Sequence, residues 1–306
     1  MTTFRGGPVT VSVPATSANL GPGFDTLGLA LDHRDQVTAQ VVDGSGVQIT
    51  VTGAGEDTVP RDERHLVYRS MLAAFEHMGA AIPGVRLDCE NVIPHARGLG
   101  SSSAAIVAGV CAARGLVAGG SLLMDDDAVF ELAAEIEGHP DNVAPALFGG
   151  FTVAYRDGGA FRAASVTVDP RVLVVAFVPP DGVETSVARG LLPATVPHAD
   201  AAVNAGRAAL LVASLSRQPE LLLAATEDRL HQDYREPAMP ASLRLVRSLR
   251  GDGVPAVVSG AGPTVLAFTD ATEQAGVVAR APDGWQALTV PIDRHGARVE
   301  LPDLVE

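Results

Sequence analysis

The sequence predicts a protein of two domains that mixes strands and helices. Three observations carry that expectation. A length of 306 residues exceeds one small core and suits two domains of ordinary size. Stretches that alternate with a period of two are interspersed with stretches of helical spacing along the whole chain. The pair Gly158-Gly159 interrupts that pattern near the middle and sets the expected domains at 1–158 and 159–306. At 47% hydrophobic and 19% charged residues, the chain has enough apolar side chain for substantial cores.

In chain order, residues 9–13 alternate as a strand that is expected to stop at Pro14. Residues 14–25 read as a turn-rich loop, with Asn19 and Asp25 as its strong side-chain partners. Residues 36–42 and 47–51 are strand-like. Leu66, Val67, Met71, Ala74, Phe75 and Met78 lie at helical spacing, and Gly79 ends that helix. Residues 85–89 form a strand that leads into a glycine-rich loop. Asp125-Asp126-Asp127 is expected to start a helix reaching Glu137, because acids stabilise the positive end of a helix. That explanation is preferred to a metal site. On the same helix Glu131 and Glu135 are four apart and share a face. Residues 149–155 are again strand-like.

The second half predicts strands at 164–168 and 172–178, stopped by Pro179-Pro180. Helical patterns follow at 203–215, 219–231 and 240–250. A buried strand at 256–258 opens into the turn Ser259-Gly260-Ala261-Gly262-Pro263-Thr264. A strand at 265–268, a helix at 273–280 and a strand at 286–292 complete a β-α-β-like half.

The stretch Pro94-His95-Ala96-Arg97-Gly98-Leu99-Gly100-Ser101-Ser102-Ser103-Ala104 carries the strongest chemical signal. Glycines permit tight backbone turns, and a serine there can cap the helix that follows. A glycine loop entering a helix N-terminus offers N–H donors and a positive dipole end to an anion, and a phosphate chain suits it. It is neither G-x-G-x-x-G nor a Walker A loop, because Ser103 replaces the third glycine and no lysine follows. All 22 basic residues are arginine, which excludes any lysine-dependent mechanism.

The net charge of −14 argues against nucleic acid or an anionic membrane as partner. Cys89 and Cys111 lack metal-ligand spacing and read as reduced core residues of a cytoplasmic protein. No apolar run reaches a membrane span, and residues 1–8 lack a signal-peptide profile.

The densest polar cluster is His139-Pro140-Asp141-Asn142, with Val143-Ala144-Pro145 after it. Turn chemistry or a binding site would each account for it. Glu184-Thr185-Ser186 leads to Arg189, and Tyr234-Arg235 separates two helical patterns.

The three glycine-rich segments, in this order and spacing, resemble the motifs of the GHMP kinases from about residue 9 to residue 268. Within that superfamily the chain is most similar to the homoserine kinases, through residues 14–25, residues 139–145 and the pair Arg189 and Arg235. The resemblance implies a two-domain GHMP kinase fold. Its N-terminal ATP-binding α+β domain is of a ribosomal-protein type and its C-terminal α+β domain is ferredoxin-like. It implies ATP-dependent phosphorylation of the L-homoserine side-chain hydroxyl, in threonine biosynthesis, with ATP and Mg²⁺ and a homodimer. The implied ATP site is residues 94–104 with His65, which stands where homoserine kinases usually have Asn.

Substrate would be held by Asn19, Asp25, His139, Asp141, Asn142, Arg189, Arg235, Gly260 and Gly262. Forked arginine donors suit a carboxylate. The implied catalytic set is Asn19, Asp141, Asn142 and Thr185, with Thr185 donating to the transferring phosphoryl group. Ser102 and Glu131 would hold the metal. Asp141 has two possible roles: general base, or anchor for the ammonium with no base used. The second is favoured, since positioning and charge stabilisation carry most of phosphoryl transfer. Two other readings stand behind this one: a GHMP kinase for a mevalonate-type alcohol or a sugar, and a non-catalytic sensor of ATP and a metabolite.

Overall fold

In the computed structural model, which describes residues 2–302, the first strand does not end at Pro14. Strand β1 (Val9–Ala18) continues through it and pairs antiparallel with β2 (Leu27–Val42). Proline cannot donate to a ladder, and the register shifts between Pro14 and Ala15 to absorb it. Thr16 and Ser17 therefore become buried sheet residues instead of loop.

Strand β3 (Val47–Gly53) crosses over through helix α1 (Leu66–His77) to the parallel strand β4 (Gly84–Asn91), which also flanks β2. Helix α2 (Ser101–Leu116) follows the glycine loop and is buried on nearly every side. After the short α3 (Gly120–Leu123), Asp125 caps α4 (Asp126–Glu137) by accepting the Ala128 N–H at 2.9 Å. The acidic triplet thus starts the helix as expected. Helix α2 packs on α1, α4 and the β1–β2 face. Cys89 and Cys111 are buried here, and burial pushes their thiols up to about 12 and about 11.

Helix α5 (Val143–Phe148) leads into the hairpin of β5 (Phe151–Asp157) and β6 (Ala160–Val166). Gly158 and Gly159 form its turn, with φ of 57° and 93°, and Asp157 pairs with Ala160. The boundary expected at residue 158 is thereby corrected. Two glycines at positive φ make a tight turn between antiparallel neighbours, and β6 stays in the first sheet. The chain leaves that sheet only after Val166.

The second sheet begins with β7 (Leu173–Val178). Helices α6 (Thr185–Gly190), α7 (His198–Ser216), α8 (Leu222–Ala225) and α9 (Pro240–Gly251) precede β8 (Ala256–Val258) and β9 (Val265–Thr269). Helix α10 (Gln274–Val278) and β10 (Gln286–Val290) follow. The antiparallel order β10-β7-β9-β8 is the fourth-first-third-second order of a ferredoxin-like fold. The helix expected over 219–231 breaks after Ala225. There the Asp228 carboxylate captures the N–H groups of Leu230, His231 and Gln232 and turns the chain away from helix. Finally β11 (Arg298–Glu300) returns to pair with β1.

Alternation along the second sheet divides its burial. Val174, Ala176, Leu266 and Phe268 join the core of the first domain. Val175, Phe177, Val265 and Ala267 face α9 and build a separate core with Leu243, Val246 and Leu249. The domains therefore share one continuous apolar layer, and the site lies at the edge of that seam.

Candidate active site

The glycine loop is shaped by close approach across the seam. Gly98 and Gly100 have φ of 74° and 71°. A Cβ on Gly98 would collide with the Ser259 carbonyl oxygen, and one on Gly100 would collide with Thr16 Oγ1. Helix α2 starts with Gly100 as its N-cap and has no side-chain cap. This corrects the expected serine cap. The hydroxyls of Ser102 and Ser103 instead donate to Glu137 Oε1 at 2.6 Å and 2.9 Å. The N–H groups of the first turn have no intrahelical acceptor and point at the space before the helix.

That space is a cavity of about 190 Å³ between the domains. On one side are Ala96, Gly98, Gly100, Ser101 and Ser102. Facing them are Glu137, His139, Asp141 and Asn142 from the α4–α5 connection. The second domain supplies Glu184, Thr185, Arg189, Arg235, Gly260 and Ala261, and Asn19 closes the floor. A neighbouring hollow of about 350 Å³ shares Ala96, Ser101, Ser102 and Glu184. It is lined by Val37, Val59, Leu66, Val67, Ala104 and Ala108, with His65 and His95 among them. His65 is buried, its Nδ1 has no hydrogen-bond partner, and burial lowers its pKa.

Asn19 sits at φ 66°, a left-handed conformation that Asn tolerates. Its Nδ2 donates to the Gly260 carbonyl at 2.8 Å, and its Oδ1 accepts the Asp25 N–H at 3.0 Å. Asn142 Oδ1 accepts from Thr16 Oγ1 at 2.8 Å. His139 Nδ1 lies 3.1 Å from Asp141 Oδ1. Burial opposes charge on His139, but the Asp141 hydrogen bond and the charges of Asp141 and Glu137 outweigh it and raise its pKa.

The two arginines differ in setting. Arg189 makes a two-pronged ion pair with Asp25, at 2.6 Å and 3.1 Å, and that bond raises its pKa. Arg235 is 1% exposed. Burial first, then the charge of Arg189, pulls its pKa down to about 10, so it stays charged at neutral pH. The Phe24 ring lies 5.6 Å from each guanidinium carbon.

Several expected residues stand elsewhere. Glu131 is one of them: it pairs with Arg162 at 3.4 Å and lines neither hollow. Six residues separate it from Glu137, which turns it about 120° around the helix at 3.6 residues per turn. Asp25 lines a separate hollow of about 300 Å³ with His139 and Tyr155. Arg97 donates to the carbonyls of His95, Pro179 and Pro180 and fastens the loop to the second domain instead of facing the cavity. Pro94, Leu99, Ser103 and Gly262 also lie outside both linings. Glu137 and Glu184 were missed from sequence. Glu137 directly precedes the Gly-His-Pro-Asp-Asn cluster, which is the signal that could have found it.

Among the described residues no group of three or more His, Cys, Asp or Glu side chains could hold a metal, and no helix is long and apolar enough to cross a membrane.

The GHMP kinases N terminal domain model matches residues 65–150, and the GHMP kinases C terminal model matches residues 207–286. A homoserine kinase of Streptomyces avermitilis is 57% identical over 296 residues, covering 97% of each chain. One of Clavibacter michiganensis is 50% identical over 303 residues, covering 97% of this chain and 96% of that protein. The crystal structure of homoserine kinase from Cytophaga hutchinsonii superposes with a TM-score of 0.84 at 27% identity, covering 96% of this chain and 97% of that one.

Proposed function

The chain belongs to the GHMP kinases, among the homoserine kinases, and on that premise we propose how its residues phosphorylate the L-homoserine side-chain hydroxyl with ATP. One observation carries the reading. The cavity sets the free N–H groups of α2 opposite Asp141, Asn142 and an arginine pair. One wall suits phosphate, and the other suits a small zwitterion with a hydroxyl.

The α2 N-terminus and the glycine loop hold the phosphates of ATP, and the larger apolar hollow beside it takes the base. The Asp25–Arg189 pair is complementary to an amino acid. A substrate carboxylate offers Arg189 what Asp25 now gives, and a substrate ammonium offers Asp25 what Arg189 now gives. Arg235 has an unpartnered Nε and adds a second fork for the carboxylate. Asp141, held by His139, anchors the ammonium side, and Asn142 orients the hydroxyl.

In the reaction the substrate oxygen forms a bond to the γ-phosphorus, the bond from that phosphorus to the β–γ bridging oxygen breaks to leave ADP, and the hydroxyl proton passes to solvent water. Thr185 and the α2 amides stabilise the charge on the moving phosphoryl group. The donor set of Ser102 and Glu137, hard oxygens side by side, fits Mg²⁺. Bound there, the ion neutralises phosphate charge.

A coupled ADP-release assay with Mg-ATP tests this, comparing L-homoserine with D-homoserine, L-threonine, mevalonate and galactose. Turnover of L-homoserine well above the rest is expected. Preferred turnover of mevalonate or a sugar keeps the fold and removes the zwitterion reading. ATP binding without turnover of any of them turns the site into a sensor.

A further inference from the structure

The substrate arginine Arg235 is fixed by a side chain outside the cavity lining. His231 is 1% exposed and lies four residues before Arg235, in the turn that Asp228 organises. Its Nδ1 lies 3.1 Å from Arg235 Nη1, and its Nε2 lies 2.7 Å from the Gly21 carbonyl oxygen. Arginine has no acceptor and a carbonyl has no donor, so both contacts fix one tautomer. Nδ1 must accept, and Nε2 must carry the proton and donate. The ring is thereby a neutral bridge from the first glycine turn, through Gly21, to the arginine.

We propose that His231 is a positioning residue that holds the Arg235 guanidinium in register for the substrate carboxylate. Arg235 Nη1 is shared between His231 Nδ1 and the Gly260 carbonyl, at 3.0 Å from the latter. Both anchors act on that one nitrogen, which leaves the Nε and Nη2 edge free to form the fork. The Phe24 ring packs against the imidazole, tilted by 34° with ring centroids 5.3 Å apart. The Asp228 carboxylate accepts the His231 N–H at 3.1 Å and sets the backbone that delivers the ring. Burial lowers the His231 pKa, in keeping with a neutral acceptor. This inference rests on the assignment of Arg235 to the substrate carboxylate.

The two nitrogens can be tested separately. In His231→Asn the amide oxygen takes the place of Nδ1 and restores the acceptor. In His231→Gln the amide reaches the place of Nε2 and restores only the contact to Gly21. His231→Gln is expected to raise KM for L-homoserine about tenfold, the weight of one hydrogen bond to a charged group. His231→Asn should stay within about threefold of wild type, and kcat and KM for ATP should move little in either. Equal rises in both variants, or an equal rise in KM for ATP, would overturn the proposal.

Arg235→Lys separates this from the reading it rests on. If it leaves the homoserine KM unchanged, the carboxylate assignment fails and His231 with it. If it raises that KM while His231→Gln does not, only His231 is wrongly assigned. Should the variants fail to fold, wild-type protein supplies the second measurement. Long-range ¹H–¹⁵N spectra at neutral pH should show His231 with Nδ1 unprotonated, and a protonated Nδ1 refutes the bridge.

Discussion

At the scale of single residues, the metal carboxylate separates the geometric reading from the family one. Glu137 accepts from both Ser102 and Ser103, while Glu131 is engaged by Arg162 on β6. Glu137→Gln is expected to lower kcat/KM for Mg-ATP by roughly a hundredfold and to raise the Mg²⁺ concentration needed for half activity. Glu131→Gln should stay within about threefold of wild type, as for one half-exposed ion pair. The reverse ranking, read by Mg²⁺ titration of ADP release, would restore Glu131 as the ligand. Asp141 poses a second choice. As an anchor, its change to Asn raises KM for L-homoserine more than it lowers kcat; a large fall in kcat at unchanged KM would make it a general base. Residue types were legible in the sequence, because arginines, Asn and Asp in turn-rich segments announce polar recognition. Which of three glutamates on one helix faces the serines was not. That depends on the angle at which α4 lies against α2, which no local pattern encodes.

At the scale of elements, the glycine loop and the α2 start act as one unit. Gly100 is at once the left-handed N-cap of α2 and the point where Thr16 of β1 crosses beneath it. A methyl group there meets Thr16 Oγ1 and displaces the hydroxyl that donates to Asn142. Gly100→Ala is therefore expected to cost about 1–3 kcal/mol of stability through strained φ. It should also abolish most activity by moving Asn142 and the first-turn amides together. Urea unfolding and the ADP assay on the same preparation check both. A variant of wild-type stability and activity would show that the loop is not held at that crossing. Elements with a local cause were legible: the Asp125 cap, the Leu66–Met78 stripe and the Ala256–Val258 strand each carry their own signal. Elements decided by partners were not. Pro14 continues as strand because a register shift in β2 absorbs it, and the 219–231 pattern breaks because Asp228 takes its amides. Gly158-Gly159 has the composition of a linker and the conformation of a hairpin turn.

At the scale of the whole molecule, the chain is closed at both ends of the seam. Near the cavity, Ser259 Oγ donates to the Gly98 carbonyl at 2.6 Å, and the Gly260 N–H reaches the Ala18 carbonyl at 3.0 Å. At the far end, the segment after β10 leaves the second sheet and returns to the first. Asp293 anchors that return. Its Oδ2 pairs with Arg34 at 2.6 Å and Arg298 at 3.0 Å, and its Oδ1 accepts the N–H groups of His295 and Gly296. It is 2% exposed, so removing its charge leaves the mostly buried Arg34 with only the half-exposed Asp32, 4.0 Å away, as a countercharge. Asp293→Asn is accordingly expected to cost about 3 kcal/mol, the lower part of the range for breaking a buried pair. The residue lines neither hollow, so kcat/KM measured without denaturant should stay near wild type. Because the two domains share an apolar layer, unfolding should remain one transition, shifted to lower urea. Two separate transitions in the variant would mean that the return of β11, and not the shared layer, is what makes the domains fold as one.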